Sequence, residues 1–410
     1  MRITKETIQK NLKYISLDDC NELVDLLSEN VQEYIISSYN SLMTTWSKNY
    51  PMLDICSGVI TIGINGKSVS YTVGNKSYDE TTVFDIASMT KLYTEFMIFD
   101  FLEEYHLSLD TTIGEITTEY ASIKDKTILD LLEFKSTYRT EVDIRNCTNK
   151  EDAINALRAV YTLPEKEGFY LYTDLPSMIL TDIMEMYTKK SYKELFEKYI
   201  IDKYTLKETY LEFDNDRYVT NNKGLVNDPK ANIMGGYYGH AGIKTTSKDF
   251  NTFLYHAMNS QYVDLFVTPS RVIDDVTDKP IVMKGIIGNS NISNQELDGM
   301  ASKYLPPLGF AVQGSVRCHG EACKFVVEGK EYTVTSSIFL DLYTQVENIK
   351  QYEKETGKVI SKEYVVDGYG SLIMCDVRSL ISYGEVYKAL TDVVGKARVM
   401  KLAEELLGVI

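Results

Sequence analysis

The spacing of apolar and polar residues changes along the chain, and each pattern predicts a different element. Residues 58–73 are β-rich on both sides of Asn65-Gly66, a pair that tolerates the positive φ angles of a two-residue hairpin turn. Two adjoining antiparallel strands are therefore predicted there. Residues 88–105 are apolar almost all the way round a helical projection, which predicts a buried helix.

Weaker patterns predict the remaining elements. Apolar residues at helical spacing after the capping Ser16 predict an amphipathic helix over 16–48. The chain from about 107 to 230 is mostly of helical pattern. Further helices and strands are predicted at 128–132, 178–187, 192–199 and from about Ser247 (helices), at 308–312, 333–342 and 370–375 (strands), and at 383–407 (a closing helix).

The order of these elements predicts an α+β fold: an antiparallel sheet flanked by helices, with an inserted helical lobe. A chain of 410 residues is long for one compact core, so we expect a single domain of two lobes with a deep site between them. The sheet-containing lobe is predicted over 1–106 and 235–410, and the helical lobe over 107–234.

The charge balance excludes several classes of partner. The chain has 43 Lys and Arg against 59 Asp and Glu, a net charge of −16. A surface with this excess of negative charge repels nucleic-acid phosphates and anionic lipids. The sequence also contains no run of about 18 apolar residues, the length that is needed to span a membrane. The first ten residues lack the apolar core of a signal peptide. We therefore expect a cytoplasmic protein, exported only if a leader has been removed, with neither nucleic acid nor membrane as partner.

The cysteines are scattered, which favours reduced thiols over a disulfide framework. The segment from Cys318 through His319 to Cys323 has residue types that bind metals, but the chain has only four histidines and no second pair of ligands. Two ordinary thiols on a loop are the favoured interpretation, and no metal is assigned.

Candidate chemistry is carried by Ser88-Met89-Thr90-Lys91, the only Ser-x-x-Lys in the chain. The serine is predicted at the start of the buried helix, where unpaired N–H groups and the helix dipole stabilise an oxyanion. Lys91 lies one turn further on the same face, and burial is expected to lower its pKa until it accepts the serine proton. The alternative is a capping serine followed by a solvated lysine.

Residues 84–91 resemble the nucleophile segment of the serine β-lactamase and penicillin-binding-protein superfamily, especially its branch of class C-related esterases and D-peptidases. The resemblance extends through the hairpin at 58–74 and the segments at 107–114 and 127–132. The glycine-rich residues 224–250 are also similar to a family segment, in which we interpret His240 as structural.

A second family element is similar to residues 168–185. The match puts Tyr172 at the catalytic tyrosine and Asp174 at the position of an asparagine. A phenol beside a protonated lysine can relay a proton between the serine and the leaving group, although tyrosine is common here, at 31 residues, and Tyr172 could instead serve packing. A carboxylate at Asp174, which we also consider for substrate binding, raises the pKa of Lys91 unless it is protonated or points elsewhere.

The third family element, Lys or His followed by a small residue and Gly on the strand edging the site, has no clean counterpart. His319-Gly320 and Gly329-Lys330 are near its expected place, and His319 is the weaker candidate for substrate binding. Residues 131–137 also depart from the family's His-Thr-Ser-Gly. These departures count against recognition of a substrate carboxylate, and so against ordinary β-lactams.

The resemblance implies a serine hydrolase that acts on an ester or amide through an acyl-enzyme, with Ser88, Lys91 and Tyr172 catalytic and no cofactor. The Ser88 N–H and one strand N–H would hold the oxyanion. The partner is a small-molecule or peptide acyl substrate. Two alternatives remain: a transacylase of the same family, and a non-catalytic relative that binds a ligand or a protein in the old cleft.

Overall fold

The structure is a computed structural model that describes residues 57–73, 77–219, 225–267, 269–275, 277–278, 280–284, 308–313, 318–327, 330–341 and 350–359. The elements predicted at 16–48, 370–375 and 383–407 lie outside the described residues.

The strands are β1 (Gly58–Ile64), β2 (Lys67–Val73), β3 (Val83–Asp85), β4 (Tyr138–Arg139), β5 (Tyr161–Thr162), β6 (Phe169–Tyr170), β7 (Thr209–Tyr210), β8 (Tyr218–Val219), β9 (Lys244–Thr246), β10 (Pro269–Asp274), β11 (Pro280–Lys284), β12 (Leu308–Gln313), β13 (Cys318–Val327) and β14 (Lys330–Leu340).

The α-helices are α1 (Thr90–Glu104), α2 (Ile113–Ile116), α3 (Ile128–Leu132), α4 (Lys150–Arg158), α5 (Leu175–Thr188), α6 (Tyr192–Phe196), α7 (Pro229–Ile233), α8 (Ser247–Met258) and α9 (Val263–Val267). Residues 350–356 are also helical. None of these described helices is long and apolar enough to cross a membrane.

The main sheet has five antiparallel strands in the order β12-β13-β14-β1-β2. The predicted hairpin joins β1 to β2, and its turn residues Asn65 and Gly66 have φ angles of 49° and 82°. Every residue of β1 is buried, because this strand lies between β14 and β2 and α8 packs against the sheet. The predicted antiparallel sheet is confirmed.

One strand of this sheet was not predicted. Cys318 and Cys323 both belong to β13, so the interpretation of this segment as a loop is wrong. His319, Gly320 and Glu321 break the apolar pattern, but β13 is hydrogen-bonded on both sides, to β12 and β14. Pairing inside a sheet therefore outweighs a weak local pattern.

The buried helix predicted over 88–105 is confirmed as α1. It is apolar on nearly every side because it packs against α5 and α6 and, through its aromatic residues, against α8. The rings of Tyr93 on α1 and Phe253 on α8 stack with centroids 4.1 Å apart. The helix therefore joins the helical region to the sheet.

The helices predicted at 128–132, 178–187 and 192–199 are present as α3, α5 and α6, the last continued by a π-helical turn over Glu197–Asp202. Short strands that the sequence did not predict interrupt this region. One of them, β8, pairs with β3 in a four-stranded sheet, β7-β9-β3-β8, that leads into the candidate site. The α+β fold class is confirmed, whereas the lobe boundaries stay a prediction.

Candidate active site

Ser88 lies where β3 passes into α1, within a 3-10 turn over Ala87–Met89. The residue before it, Ala87, has a φ of 45°, which is uncommon for a residue with a side chain. The buried carboxylate of Asp85 holds this conformation, since one oxygen accepts the Ala87 N–H at 2.8 Å and the other accepts the Asn227 N–H at 2.7 Å. A strained backbone held from two sides thus presents the half-buried Ser88 at the start of a buried helix.

Lys91 is almost entirely buried, and three acceptors surround its ammonium group. Its Nζ donates to Ser88 Oγ at 3.0 Å, to Asp174 Oδ1 at 2.7 Å and to the backbone carbonyl of His240 at 3.2 Å. The structure therefore brings together Ser88, Lys91 and Asp174, which the sequence had singled out separately.

The electrostatics of this contact differ from the expectation for a lysine base. Burial by itself lowers the pKa of Lys91, but the charge of Asp174, with a smaller contribution from Tyr172, outweighs it and the pKa is raised. Burial acts on Asp174 in the opposite sense, yet Lys91, His240 and Lys230 hold the pKa of Asp174 well below its usual range. Of the two expectations for the Lys91 pKa, lowering by burial and raising by an Asp174 carboxylate, the structure favours the second, because the carboxylate is ionised and points at the lysine.

Tyr172 lies beside the same lysine. Lys91 Nζ is 5.0 Å from the centre of its ring, within the range of a cation–π contact, and the ring packs at 5.2 Å against that of Phe134. The Tyr172 hydroxyl is buried and makes no hydrogen bond within the described part of the chain. The phenol therefore lies beside the Lys91 ammonium, and its catalytic role stays a prediction.

Asp174 comes immediately before α5, and its second oxygen pairs with Lys230 of α7. Both carboxylate oxygens are therefore in contact with lysines, and binding of substrate by Asp174 stays a prediction. Sequence reasoning missed Lys230. The signal that could have indicated it is Asp228-Pro229-Lys230, a capping residue and an N1 proline that fix the start of a short helix within the family-like stretch.

His240 packs beside the site and contacts both Asp228 and Lys91. It is fully buried, and its Nε2 lies 3.1 Å from Asp228 Oδ1, while Asp228 also caps α7 by accepting the Ala231 N–H. Asp174, Asp228 and His240 offer ligand atoms within 4.8 Å of one another, which is a donor set that metals use. A divalent cation would have to displace two ammonium groups from Asp174, so we assign no metal here.

The edge of the main sheet borders the turn that carries Ser88. Strand β12 is the edge strand and contacts the turn that carries Ser88, whereas His319 lies on the next strand, β13, paired with Gln313 and Ile338. Its neighbour Gly320 cannot be enlarged freely, because a Cβ there would lie 2.2 Å from the ring of Phe250. A role for His319 in substrate binding stays a prediction.

Comparison with known proteins bears on the family and the fold. The family model described as Beta-lactamase matches residues 51–271. A teichoic acid D-alanine hydrolase of Staphylococcus aureus is 24% identical over 270 residues, covering 62% of this chain. The match spans 66% of that relative, just under two thirds of its length. The same-named protein of strain MRSA252 is 22% identical over 232 residues, covering 53% of this chain and 58% of the relative.

Solved structures share the fold at low sequence identity. A class C β-lactamase from Rhodobacter sphaeroides has a TM-score of 0.53 at 14% identity, covering 78% of this chain and 99% of that one. A β-lactamase/D-alanine carboxypeptidase from Pseudomonas syringae has a TM-score of 0.54 at 13% identity, covering 80% and 99%. The family model spans more than half of the chain and includes Ser88, Lys91, Tyr172 and Asp174. This protein belongs to the β-lactamase family, a family of serine hydrolases and acyltransferases.

Proposed function

We propose that this protein hydrolyses an ester or amide through an acyl-enzyme formed on Ser88. The observation that carries the proposal is the 3.0 Å contact between Ser88 Oγ and Lys91 Nζ at the start of a buried helix. A nucleophile and a proton-accepting group within hydrogen-bonding reach are the minimum arrangement for covalent catalysis.

In the proposed reaction, Ser88 Oγ attacks the substrate carbonyl and its proton passes to the neutral amine of Lys91. The Ser88 N–H and a backbone N–H of β12, an edge strand in the described part of the sheet, stabilise the oxyanion. The bond to the leaving group then breaks, and Tyr172 relays the proton from Lys91 to the departing oxygen or nitrogen. Water attacks the acyl-Ser88 ester in the second half-reaction and regenerates the hydroxyl.

The ion pair with Asp174 sets a condition on this reaction. In the resting site Lys91 is an ammonium group, because its pKa is raised by Asp174. An ammonium cannot accept the serine proton, so the fraction of active enzyme grows as the pH rises toward the pKa of Lys91. We therefore expect a rate that increases with pH through the alkaline range.

The relatives favour an ester as the substrate. The Staphylococcus aureus relatives are teichoic acid D-alanine hydrolases, a name that describes release of D-alanine from teichoic acid. We propose D-alanyl esters as the first substrates to test, with the matching D-alanyl amides for comparison. Hydrolysis of the ester with no hydrolysis of the amide supports the narrower assignment.

The test of the proposal is intact-protein mass spectrometry after exposure to a fluorophosphonate probe and, separately, to a penicillin. Reactions are run between pH 7 and pH 10, with Ser88→Ala as the control. A mass increase that disappears in Ser88→Ala supports an activated serine, and a penicillin adduct or turnover shows whether β-lactams are accepted. If neither reagent labels the wild type at any pH, the hydrolase proposal is wrong.

One observation favours a second candidate, a relative that binds a ligand without catalysis. The raised pKa of Lys91 removes its proton-accepting ability at neutral pH. This candidate predicts no Ser88-dependent labelling even at pH 10, where the proposed hydrolase labels fastest. The pH series therefore separates the two functions.

A further inference from the structure

Asp174 is shared by two lysines that come from distant parts of the chain. Its Oδ1 accepts a hydrogen bond from Lys91 on α1, and its Oδ2 pairs with Lys230 on α7. The Lys91 side chain is 1% exposed, the Asp174 side chain 14% and the Lys230 side chain 21%. Solvent screens charges in such a protected position only weakly. Each lysine therefore affects the electrostatic interaction between the Asp174 carboxylate and the other lysine.

We propose that Lys230 is a positioning residue: it pairs with the second oxygen of Asp174 and thereby weakens the electrostatic stabilisation of the Lys91 ammonium by that carboxylate. This inference rests on the proposed function, in which Lys91 must lose a proton. Lys230 acts through Asp174, and the structure shows no direct contact between Lys230 and Ser88 in the described residues.

The segment that carries Lys230 is held firmly in place. Asp228 caps α7 through the Ala231 N–H, and Pro229 occupies the first turn of that helix. The same Asp228 binds His240, whose backbone carbonyl accepts a hydrogen bond from Lys91. One short stretch of chain therefore contacts the Lys91 ammonium directly and also reaches it through Asp174.

Other charged and titratable groups face this pair and limit the effect of Lys230. Tyr172 lies against Lys91 from the segment before α5, and Glu95 is buried one turn further along α1. Asp174 also experiences the fields of His240, Asp228 and Arg145. Lys230 is the group besides Lys91 whose ammonium contacts the Asp174 carboxylate in the described structure.

Removing the charge of Lys230 has a definite direction. Lys91 then keeps its contact with the Asp174 carboxylate without the nearby positive charge of Lys230, and this change favours the protonated form of Lys91. The acid limb of the pH–rate profile for Ser88 labelling moves to higher pH. A shift of one pH unit makes labelling about tenfold slower at every pH below the limb.

The experiment measures the second-order rate of Ser88 labelling by a fluorophosphonate from pH 6 to pH 11. It compares wild type with Lys230→Met, with Lys230→Arg, which keeps the charge, and with Lys203→Met. Lys203 pairs with Asp100 on the same helix α1. Asp100 is nine residues beyond Lys91, about 14 Å along a helix. We expect Lys230→Met to move the acid limb of the pH–rate profile to higher pH by about one unit. Lys230→Arg and Lys203→Met should both leave this limb at the wild-type position.

A second readout is independent of catalysis. Titration of ¹⁵N-labelled lysine side chains by NMR follows the Lys91 ammonium, assigned by its loss in Lys91→Arg. A higher pKa of Lys91 in Lys230→Met than in wild type supports the inference even if Ser88 proves unreactive. An unchanged Lys91 pKa in a Lys230→Met protein of wild-type circular dichroism overturns it. Absence of Ser88 labelling in the wild type overturns the proposed function and leaves the NMR result to decide the inference.

Discussion

Among the described residues, Lys91 and Lys244 are both buried, and they differ in what surrounds them. The Nζ of Lys91 faces the carboxylate of Asp174, whereas the Nζ of Lys244 on β9 donates to the backbone carbonyls of Leu211 and Gly242. Burial opposes the charged form of both lysines, and it prevails for Lys244, whose pKa is lowered even though Asp85 and Glu212 favour its charge. The pKa of Lys91 is raised. The comparison teaches that burial lowers the pKa of a lysine unless a carboxylate in direct contact outweighs it.

The largest expected effect comes from deleting each lysine in turn. Lys91→Met removes the proton acceptor, and we expect labelling of Ser88 to fall by about 100- to 10,000-fold, the usual contribution of a general base. Lys244→Met removes another buried lysine, whose ammonium binds the carbonyls of Leu211 and Gly242, and should leave the labelling rate within about twofold of wild type in protein that remains folded. Equal losses in both variants would mean that the effect of Lys91→Met is structural. Labelling rates together with circular dichroism provide the measurement.

The next largest effect is expected from a substitution that leaves Lys91, like Lys244, buried without a carboxylate in contact. Asp174→Asn introduces the residue that the family normally has and removes the carboxylate, so the pKa of Lys91 should fall. A contacting opposite charge typically shifts a pKa by about one to three units. The acid limb of the labelling profile should therefore move to lower pH, with at least about tenfold faster labelling at pH 7. An unchanged or higher limb in Asp174→Asn would refute the assignment of Asp174 as the group that holds Lys91 protonated.

The smallest effect is on stability, and it has opposite signs for the two lysines. The folded-state pKa of Lys91 lies above its ordinary value of 10.5, so its contribution is fully present below pH 10.5 and is lost as the pH rises through the folded value. The folded-state pKa of Lys244 lies below 10.5. Its charged form is therefore destabilising, and that cost disappears as the pH rises from the lowered value toward 10.5.

Urea unfolding at pH values from 7 to 11 measures the second of these contributions. We expect the free energy of unfolding of wild type, relative to Lys244→Met, to increase with pH over this range. The increase is about 1.4 kcal/mol for each unit by which folding lowers the pKa of Lys244. A difference that stays constant from pH 7 to pH 11 would show that Lys244 is not perturbed by burial.

Local chemistry was sufficient to predict much of the fold. The hairpin follows from Asn65-Gly66, a pair suited to positive φ, and α1 follows from a run of apolar residues with no polar face. Strand β13 was missed because its identity depends on hydrogen bonds to β12 and β14, which no local pattern encodes. The short strands among the helices were missed for the same reason.

The candidate site divides in the same way. Ser88 and Lys91 are one helical turn apart, so their contact follows from helix geometry once the helix is predicted. Tyr172 and Asp174 were identified through the family resemblance, and the structure brings both beside Lys91. Lys230 was missed, because the capping Asp228 and the following Pro229 indicate only that a short helix begins there and not that its lysine reaches Asp174. The sequence left open whether burial lowers the pKa of Lys91 or an Asp174 carboxylate raises it, because the direction of that carboxylate was unknown.

The sequence by itself determined the candidate nucleophile Ser88, its neighbour Lys91 one turn away and the hairpin of the sheet beside them, since each depends on spacings of a few residues. Only the tertiary structure decided the protonation of that neighbour. Asp174 lies 83 residues from Lys91, and Lys230 lies a further 56 residues along the chain. Electrostatic energy depends on distances in space and on exclusion of water, and both quantities exist only after these segments have packed together.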